Sequence, residues 1–318
     1  MQNLDITVAS YGSNLKASVM ADIAEYAAIK HGDMFVSSLD GAFAEDVYID
    51  ALDDEDTPPD RSALMSLSEQ TDLRSEILDG VTDVIAERVR NLKDHYCFTF
   101  DEKRKRLTFA PDRSKNYAVL LALLLSHAHD HRAEFSPLRA KPSDAFELIV
   151  ERAMQQAGFE AERIGANRGR LQQTLKPALT RLSLSSIADG LVSIASSWND
   201  AGVDVLSRFP WGNDKRGGQW VFCVQATCGK YSEWPKKMRE PNIWHDVFSP
   251  WSYPVFALAI PHHAPERILP QLWGSGHRNI QFLDRLRLVP YLQFELVEIE
   301  SAMRWIKDET ALDWLISG

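Results

Sequence analysis

The apolar positions along the chain change their spacing part-way through. From Leu15 to His31, the residues Val19, Ile23, Tyr26, Ala27 and Ile29 fall on roughly one face of a helix. From Ser66 to Asp94, Leu73, Ile77, Val81, Ile85 and Val89 recur at every fourth residue, which predicts a long amphipathic helix. Residues 50–61 between them are acidic and carry Pro58-Pro59, so they read as a loop or linker. Residues 96–100 and 106–109 flank the polar run Asp101-Glu-Lys-Arg-Lys and predict a small hairpin. Residues 116–127 are nearly all apolar and predict a buried helix.

Beyond residue 140 the pattern alternates between helix and strand. Ser143 stands where it can cap a helix over 145–156 that ends at Gly158. Residues 174–197 hold one or two helices. Val203 to Arg208, Gln219 to Thr227 and Val255 to Ile260 are rich in β-branched and aromatic residues and predict strands. The stretch 280–289 fits helix or strand equally. Residues 292–298 alternate like a strand, and 300–316 read as a terminal helix. Helix, strand, strand, helix, strand is an α/β layer pattern. The segment 132–141, with Pro137 and few apolar residues, marks the boundary. The expected fold class is α+β: a mainly helical, acidic N-terminal domain over 1–140, then an α/β domain with a central mixed sheet over 141–318.

Composition adds limits. A chain of 318 residues, 45% hydrophobic and 25% charged, suits two domains with their own cores. The longest apolar run is too short to span a bilayer, and the N-terminus shows no signal-peptide pattern. Three cysteines, Cys97, Cys223 and Cys228, are too few for a disulfide framework, which points to a reducing cytoplasm. The net charge of −10 is unevenly placed: residues 1–60 hold 13 acids and 2 bases, whereas 160–240 hold 8 acids and 12 bases. Binding a polyanion needs local rather than global positive charge. The acidic segment reads as solvated surface or as a surface for a partner.

The residues with the most chemistry lie between 200 and 237. Asp204 opens one predicted strand, and Gln225 stands near the end of the next. Neighbouring strands bring such positions to one edge of a sheet, because residues two apart share a face. Lys230 and Lys236 follow shortly after. Cleaving a phosphodiester calls for a hard divalent cation on oxygen ligands, an activated water and a cation near the developing charge.

Asp200-Ala-Gly-Val-Asp204, Gln225-Ala-Thr-Cys-Gly-Lys230 with Trp234 and Lys236, the strand 255–261, and Phe146-Glu147 with Gly158-Phe159 together resemble the restriction-endonuclease-like (PD-(D/E)xK) superfamily, in particular its Mrr-like branch with Gln in place of Glu. The resemblance covers about residues 143–265. It implies a Mg²⁺-dependent DNA endonuclease, with Mn²⁺ as a substitute metal, in a bacterial restriction or anti-phage system. The helical N-terminal domain would serve a partner protein, such as an ATPase or helicase of the same system, or self-association, and no membrane partner is expected. Asp204, Gln225 and Glu147 would hold the metal. Thr227 occupies the place where the family carries lysine, so Lys230 or Lys236 would supply the ammonium. The alternative is a nuclease-fold protein that binds nucleic acid or a partner without cutting, with residues 1–60 as its working surface.

Other groupings compete less well. His127-Ala-His129-Asp130-His131 is similar to the metal motif of metallo-β-lactamase-like hydrolases with one residue missing, yet suits a helix end, where imidazoles meet the negative pole of the dipole. His262-His263 would point to opposite sides of an extended chain. Five tryptophans, at 211, 220, 234, 244 and 251, suit packing or base stacking. The basic stretch with Arg163, Arg168, Arg170, Lys176 and Arg181 suits a solvated face or a phosphate-tracking loop. No nucleotide-binding glycine motif is present.

Overall fold

A computed structural model describes residues 4–43, 67–164, 171–184, 202–211, 218–229, 233–237, 243–248, 252–266, 268–269 and 280–308. The chain forms two compact units. The first is drawn from Met1–Asp130, His263–Gln271 and Glu295–Gly318, and the second from His131–His262 and Leu272–Phe294. The sequence reading placed a single boundary at 140/141. None of the helices among the described residues is long and apolar enough to cross a membrane.

In the first unit, helix α1 (Leu4–His31) leads into strand β1 (Asp33–Phe35), followed by helix α2 (Leu67–Leu92), strands β2 (Phe98–Asp101) and β3 (Arg106–Phe109), and helix α3 (Asn116–Asp130). The hairpin forms as expected, with Phe98 opposite Phe109, and β1 adds a third strand that the sequence reading missed, in the antiparallel order β1-β3-β2. Helices α1 and α2 approach closely because small residues meet at their crossing. A Cβ added to Gly80 would stand 3.0 Å from the Ala17 Cβ. The histidines of 127–131 fall at the end of α3 and just beyond it, as the helix-end reading has it.

A charged cluster lies inside this apolar packing. Arg88 and Glu25 are both fully buried. The Arg88 guanidinium donates to Glu25 at 2.7 Å, lies 2.8 Å from the Asp22 carboxylate, and donates to His263 Nδ1 at 3.2 Å. The hydroxyls of Tyr96 and Tyr117 donate to Glu25 as well. A buried charge is tolerated only with this kind of complete pairing. Burial and then the Glu25 carboxylate push the Tyr96 pKa well up.

In the second unit, helix α4 (Pro142–Gln156) precedes strand β4 (Glu160–Arg163), helix α5 (Leu171–Arg181), strands β5 (Val205–Arg208) and β6 (Val221–Ala226), the short helices α6 (Trp234–Lys237) and α7 (Ile243–Phe248), strands β7 (Val255–Ala259) and β8 (Ile280–Leu283), and helix α8 (Arg285–Leu288). Pro142 opens α4 after Lys141, so Ser143 is inside the helix rather than its cap. A first-turn proline has no N–H to leave unpaired. Gly158 ends it at φ +92°, with the Phe159 N–H donating back to Met154 O, which is the glycine role expected.

The sheet order is β4-β5-β6-β7-β8, with β4, β5 and β6 antiparallel and β6, β7 and β8 parallel. Helix α4 covers one face, where its Ala153 and Met154 share a cavity wall with Phe222 and Ala257. Helices α6 and α7 cover the other, through Trp234 on Phe282 and His245 on Phe256. This gives the expected α/β layers and central mixed sheet.

Strand β4 was not anticipated. Its Glu-Ala-Glu-Arg sequence is polar, and ion pairs hold it: Arg208 to Glu160 and Arg163 to Glu151. The undecided stretch 280–289 resolves into β8 and α8, with the Asp284 carboxylate accepting the Arg287 N–H at the helix start. The last helix, α9 (Leu296–Asp308), returns to the first unit, where it packs on α3 and α1. It begins inside the stretch expected to be a strand. The Glu298 carboxylate accepts the Glu295 N–H, half of a capping box, and this closes the first turn with Leu296 and Val297 left exposed.

Candidate functional site

Because β5 runs against β6, the start of β5 lies beside the end of β6. The parallel strands β7 and β8 finish at the same edge. Carboxyl ends of parallel strands are where α/β sheets place their ligands. Asp204 is fixed here from both sides: its N–H donates to Val224 O and its C=O accepts the Ile164 N–H. Its side chain is buried, and Oδ2 accepts the Ala226 N–H at 2.8 Å. The carboxylate is therefore seated directly on the last residue of β6.

Gln225 precedes that residue and is half-buried opposite Leu258 of β7. Strand alternation sets Gln225 and Thr227 on one face. Thr227 extends the ladder by donating its N–H to Ala259 O at 3.0 Å. Its hydroxyl accepts from the Lys237 ammonium at 2.7 Å and from the Gly229 N–H at 3.0 Å.

Lys237 is the residue the sequence reading missed. It looked to Lys230 or Lys236 for an ammonium near Thr227. Lys230 lies outside the described residues, and Lys236 lies in α6 with its side chain outside them. Lys237 closes α6, a helix pinned to the strand end by Trp234, whose indole N–H donates to Gly229 O at 3.1 Å. Trp234 also lies against His262, and the His262 ring approaches the Cys228 carbonyl at 3.4 Å. Glu233, one turn before Lys237, is 3.8 Å from its ammonium. Glu233 lies close over Gly229, where an added Cβ would collide with its Oε2.

Glu147 reaches the same edge from α4, on the other side of the sheet. It is buried. Burial drives the Cys228 thiol pKa far up, Lys237 draws it down and Glu147 raises it again, so both charged groups act on this one sulfur. The end of β6 is thus approached by Asp204 from the adjacent strand, Glu147 from one layer and Lys237 from the other.

Among the described residues, no group of three or more His, Cys, Asp and Glu side chains forms a metal cage. The donors at this edge are two carboxylates and the Gln225 amide. They are all oxygen donors, which suits Mg²⁺ or Mn²⁺ rather than a soft metal. Away from the edge, a cavity of about 530 Å³ between α4 and the sheet is lined mostly by apolar groups, with Gln281 and Arg287 as its polar walls.

The paired histidines separate as expected for an extended chain: His262 turns to Trp234, and His263 enters the buried cluster around Arg88. Arg163 is tied to Glu151 and Arg181 to Glu162, so these two serve local ion pairs, while Arg168 and Arg170 lie outside the described residues. Comparison of the chain with protein-family models, curated proteins and solved structures finds no match in any of the three.

Proposed function

We propose that the second unit is a metal-dependent phosphodiesterase of the restriction-endonuclease type, acting on DNA. The observation that carries this reading is the Lys237 ammonium, 2.7 Å from the Thr227 hydroxyl. Thr227 stands two residues past Gln225, at the position where the resemblance calls for a lysine, and a helix outside the strand delivers the missing charge there. The strand order, with an antiparallel β4-β5-β6 and a parallel β7 after helices, is in keeping with the same reading.

Asp204, Gln225 and Glu147 would hold Mg²⁺ or Mn²⁺. Bound there, the ion would supply Lewis-acid polarisation of the phosphate and a more acidic water. The chain's own contributions follow from its geometry. Asp204 is kept in one orientation by the Ala226 N–H. Lys237 places a positive charge beside the strand end, where it offsets charge building on a phosphate oxygen. Thr227 holds that ammonium in place, and Glu233 limits its swing. The neutral Gln225 favours a second reading, in which the same fold binds DNA or a partner without cutting.

In the proposed setting the protein works in the cytoplasm within a restriction or anti-phage system, alongside an ATPase or helicase. The acidic residues of 1–60 other than Asp22 and Glu25, which are buried around Arg88, would then face that partner, and copies of the chain would self-associate to act on both strands.

The test is incubation of plasmid with the purified protein and Mg²⁺ or Mn²⁺, beside Asp204→Ala. Nicking or linearisation by the wild type alone supports the proposal. If neither protein cuts with either metal, with or without products of adjacent genes, the non-cutting reading takes its place. Equal cutting by both would place the active site elsewhere.

A further inference from the structure

We propose that Trp211 and Trp220 form a platform on which unpaired bases of a nucleic-acid strand stack. The β5–β6 hairpin has two ends. One carries Asp204 and Gln225, and the other carries these two indoles. Trp211 is 50% exposed and Trp220 is 57% exposed. Large aromatic rings seldom stay in water without a use, because covering them is worth so much.

Their support is rigid. The two indoles meet edge to face, with centroids 5.3 Å apart. Phe209 contacts both, at 5.0 and 5.9 Å. Phe159 then continues the ladder from Phe209 to Phe222, at 5.7 and 5.0 Å. Rings held in this way lose little freedom when a ligand lands on them.

Charge favours nucleic acid over an apolar protein surface. The residues joining the two tryptophans include Lys215 and Arg216 against Asp214, and the stretch 160–240 carries 12 bases and 8 acids in a chain that is acidic overall. Stacking suits any base, since each has a π-face, and is worth roughly 1–3 kcal/mol per base. The choice of partner rests on the phosphodiesterase reading of the same hairpin. Trp211 is seven residues along the chain from Asp204, roughly 23 Å at about 3.3 Å per residue. At the stacked spacing of about 3.4 Å per nucleotide that is about seven steps, so a stacked strand much shorter than this reaches only one end of the hairpin.

Binding is measured in EDTA, where no cutting occurs, by indole fluorescence and by anisotropy of labelled strands. The probes are a thymidine strand of about 20 nucleotides, one of about 4, and a blunt duplex. The long single strand should quench the indoles and bind more tightly than the short strand or the duplex. Trp211→Ala and Trp220→Ala should each weaken it by roughly tenfold, and the Phe replacements should retain most of the affinity. Absence of strand binding by the wild type, or unchanged affinity in both alanine variants, overturns the platform. So does elution of the alanine variants as a smaller species than the wild type, which would make the indoles a protein interface. If the wild type cuts plasmid while the alanine variants bind and cut equally well, only the platform falls. If the strand binds through the indoles but nothing is cut in Mg²⁺ or Mn²⁺, with or without products of adjacent genes, the platform stands and the phosphodiesterase reading falls.

Discussion

Lys237 and Thr227 lie ten positions apart in sequence and are joined by a hydrogen bond of 2.7 Å, which puts a cation where strand β6 itself supplies only a hydroxyl. Removal of this ammonium should therefore be felt differently from removal of its neighbours. Lys237→Met is expected to lower the cleavage rate by about 10²-fold, the usual scale for losing one group that stabilises developing charge. Lys230→Met and Lys236→Met should each change it by less than about fivefold. Initial rates of plasmid nicking, with thermal melts as a folding control, check this. A rate loss confined to Lys236→Met would move the role one residue back.

The difference between Lys237 and the lysines expected from sequence shows what the sequence could reveal. Strands β5, β6 and β7 were readable because they are short apolar runs bounded by polar turns, and α2 because its apolar residues repeat at every fourth position. Asp204 and Gln225 could be placed from those strands alone. The direction in which α6 leaves the strand could not. It depends on the Trp234 indole reaching Gly229 O, a contact with no periodic signature. Strand β4 was hidden for a related reason, since its polar residues make sense only beside Arg208 and Glu151.

The buried cluster of the first unit predicts a steep loss of stability. Arg88→Ala should cost about 3–5 kcal/mol, because it strands the Glu25 carboxylate in the core. Replacing both partners with apolar residues, as in Arg88→Met with Glu25→Leu, should cost less than the sum of the two single changes. Urea unfolding of the four proteins in a double-mutant cycle measures this coupling.

Glu87 predicts an acid-side limb in that stability. Burial by itself would raise its pKa, but the His263 imidazole, whose Nε2 lies 3.5 Å from the carboxylate, together with the Glu266 backbone and the Arg88 guanidinium, outweighs this and holds it below the ordinary glutamate value. A carboxylate whose folded pKa is depressed stabilises the fold above its unfolded pKa, and that share is lost as pH falls through the folded pKa. Glu87→Gln should flatten the decline below the usual glutamate range and leave the slope above neutral pH unchanged. Melting temperatures across an acid pH series provide the check.

The three cysteines predict silence toward thiol reagents. Cys97, Cys223 and Cys228 are all buried, and burial raises each thiol pKa. The thiolate is the reactive form. Native protein should titrate with no fast thiol in an Ellman assay, and with three in guanidinium. A fast native thiol, located by mass spectrometry, would show that its strand or strand end opens readily.

The first unit is assembled from three separated stretches of chain, and this sets an order on its synthesis. Residues 131–262 are synthesised before His263, and α9 comes later still. Nascent domains generally fold in the order in which they emerge. Here the unit that starts first finishes last: α1, α2 and α3 must wait, with the Arg88 guanidinium short of its imidazole acceptor, until the second unit is almost wholly translated. A chain stopped near residue 130 would keep the charges of the cluster and lose one of their partners, so it should emerge as a client for chaperones rather than as a free-standing domain.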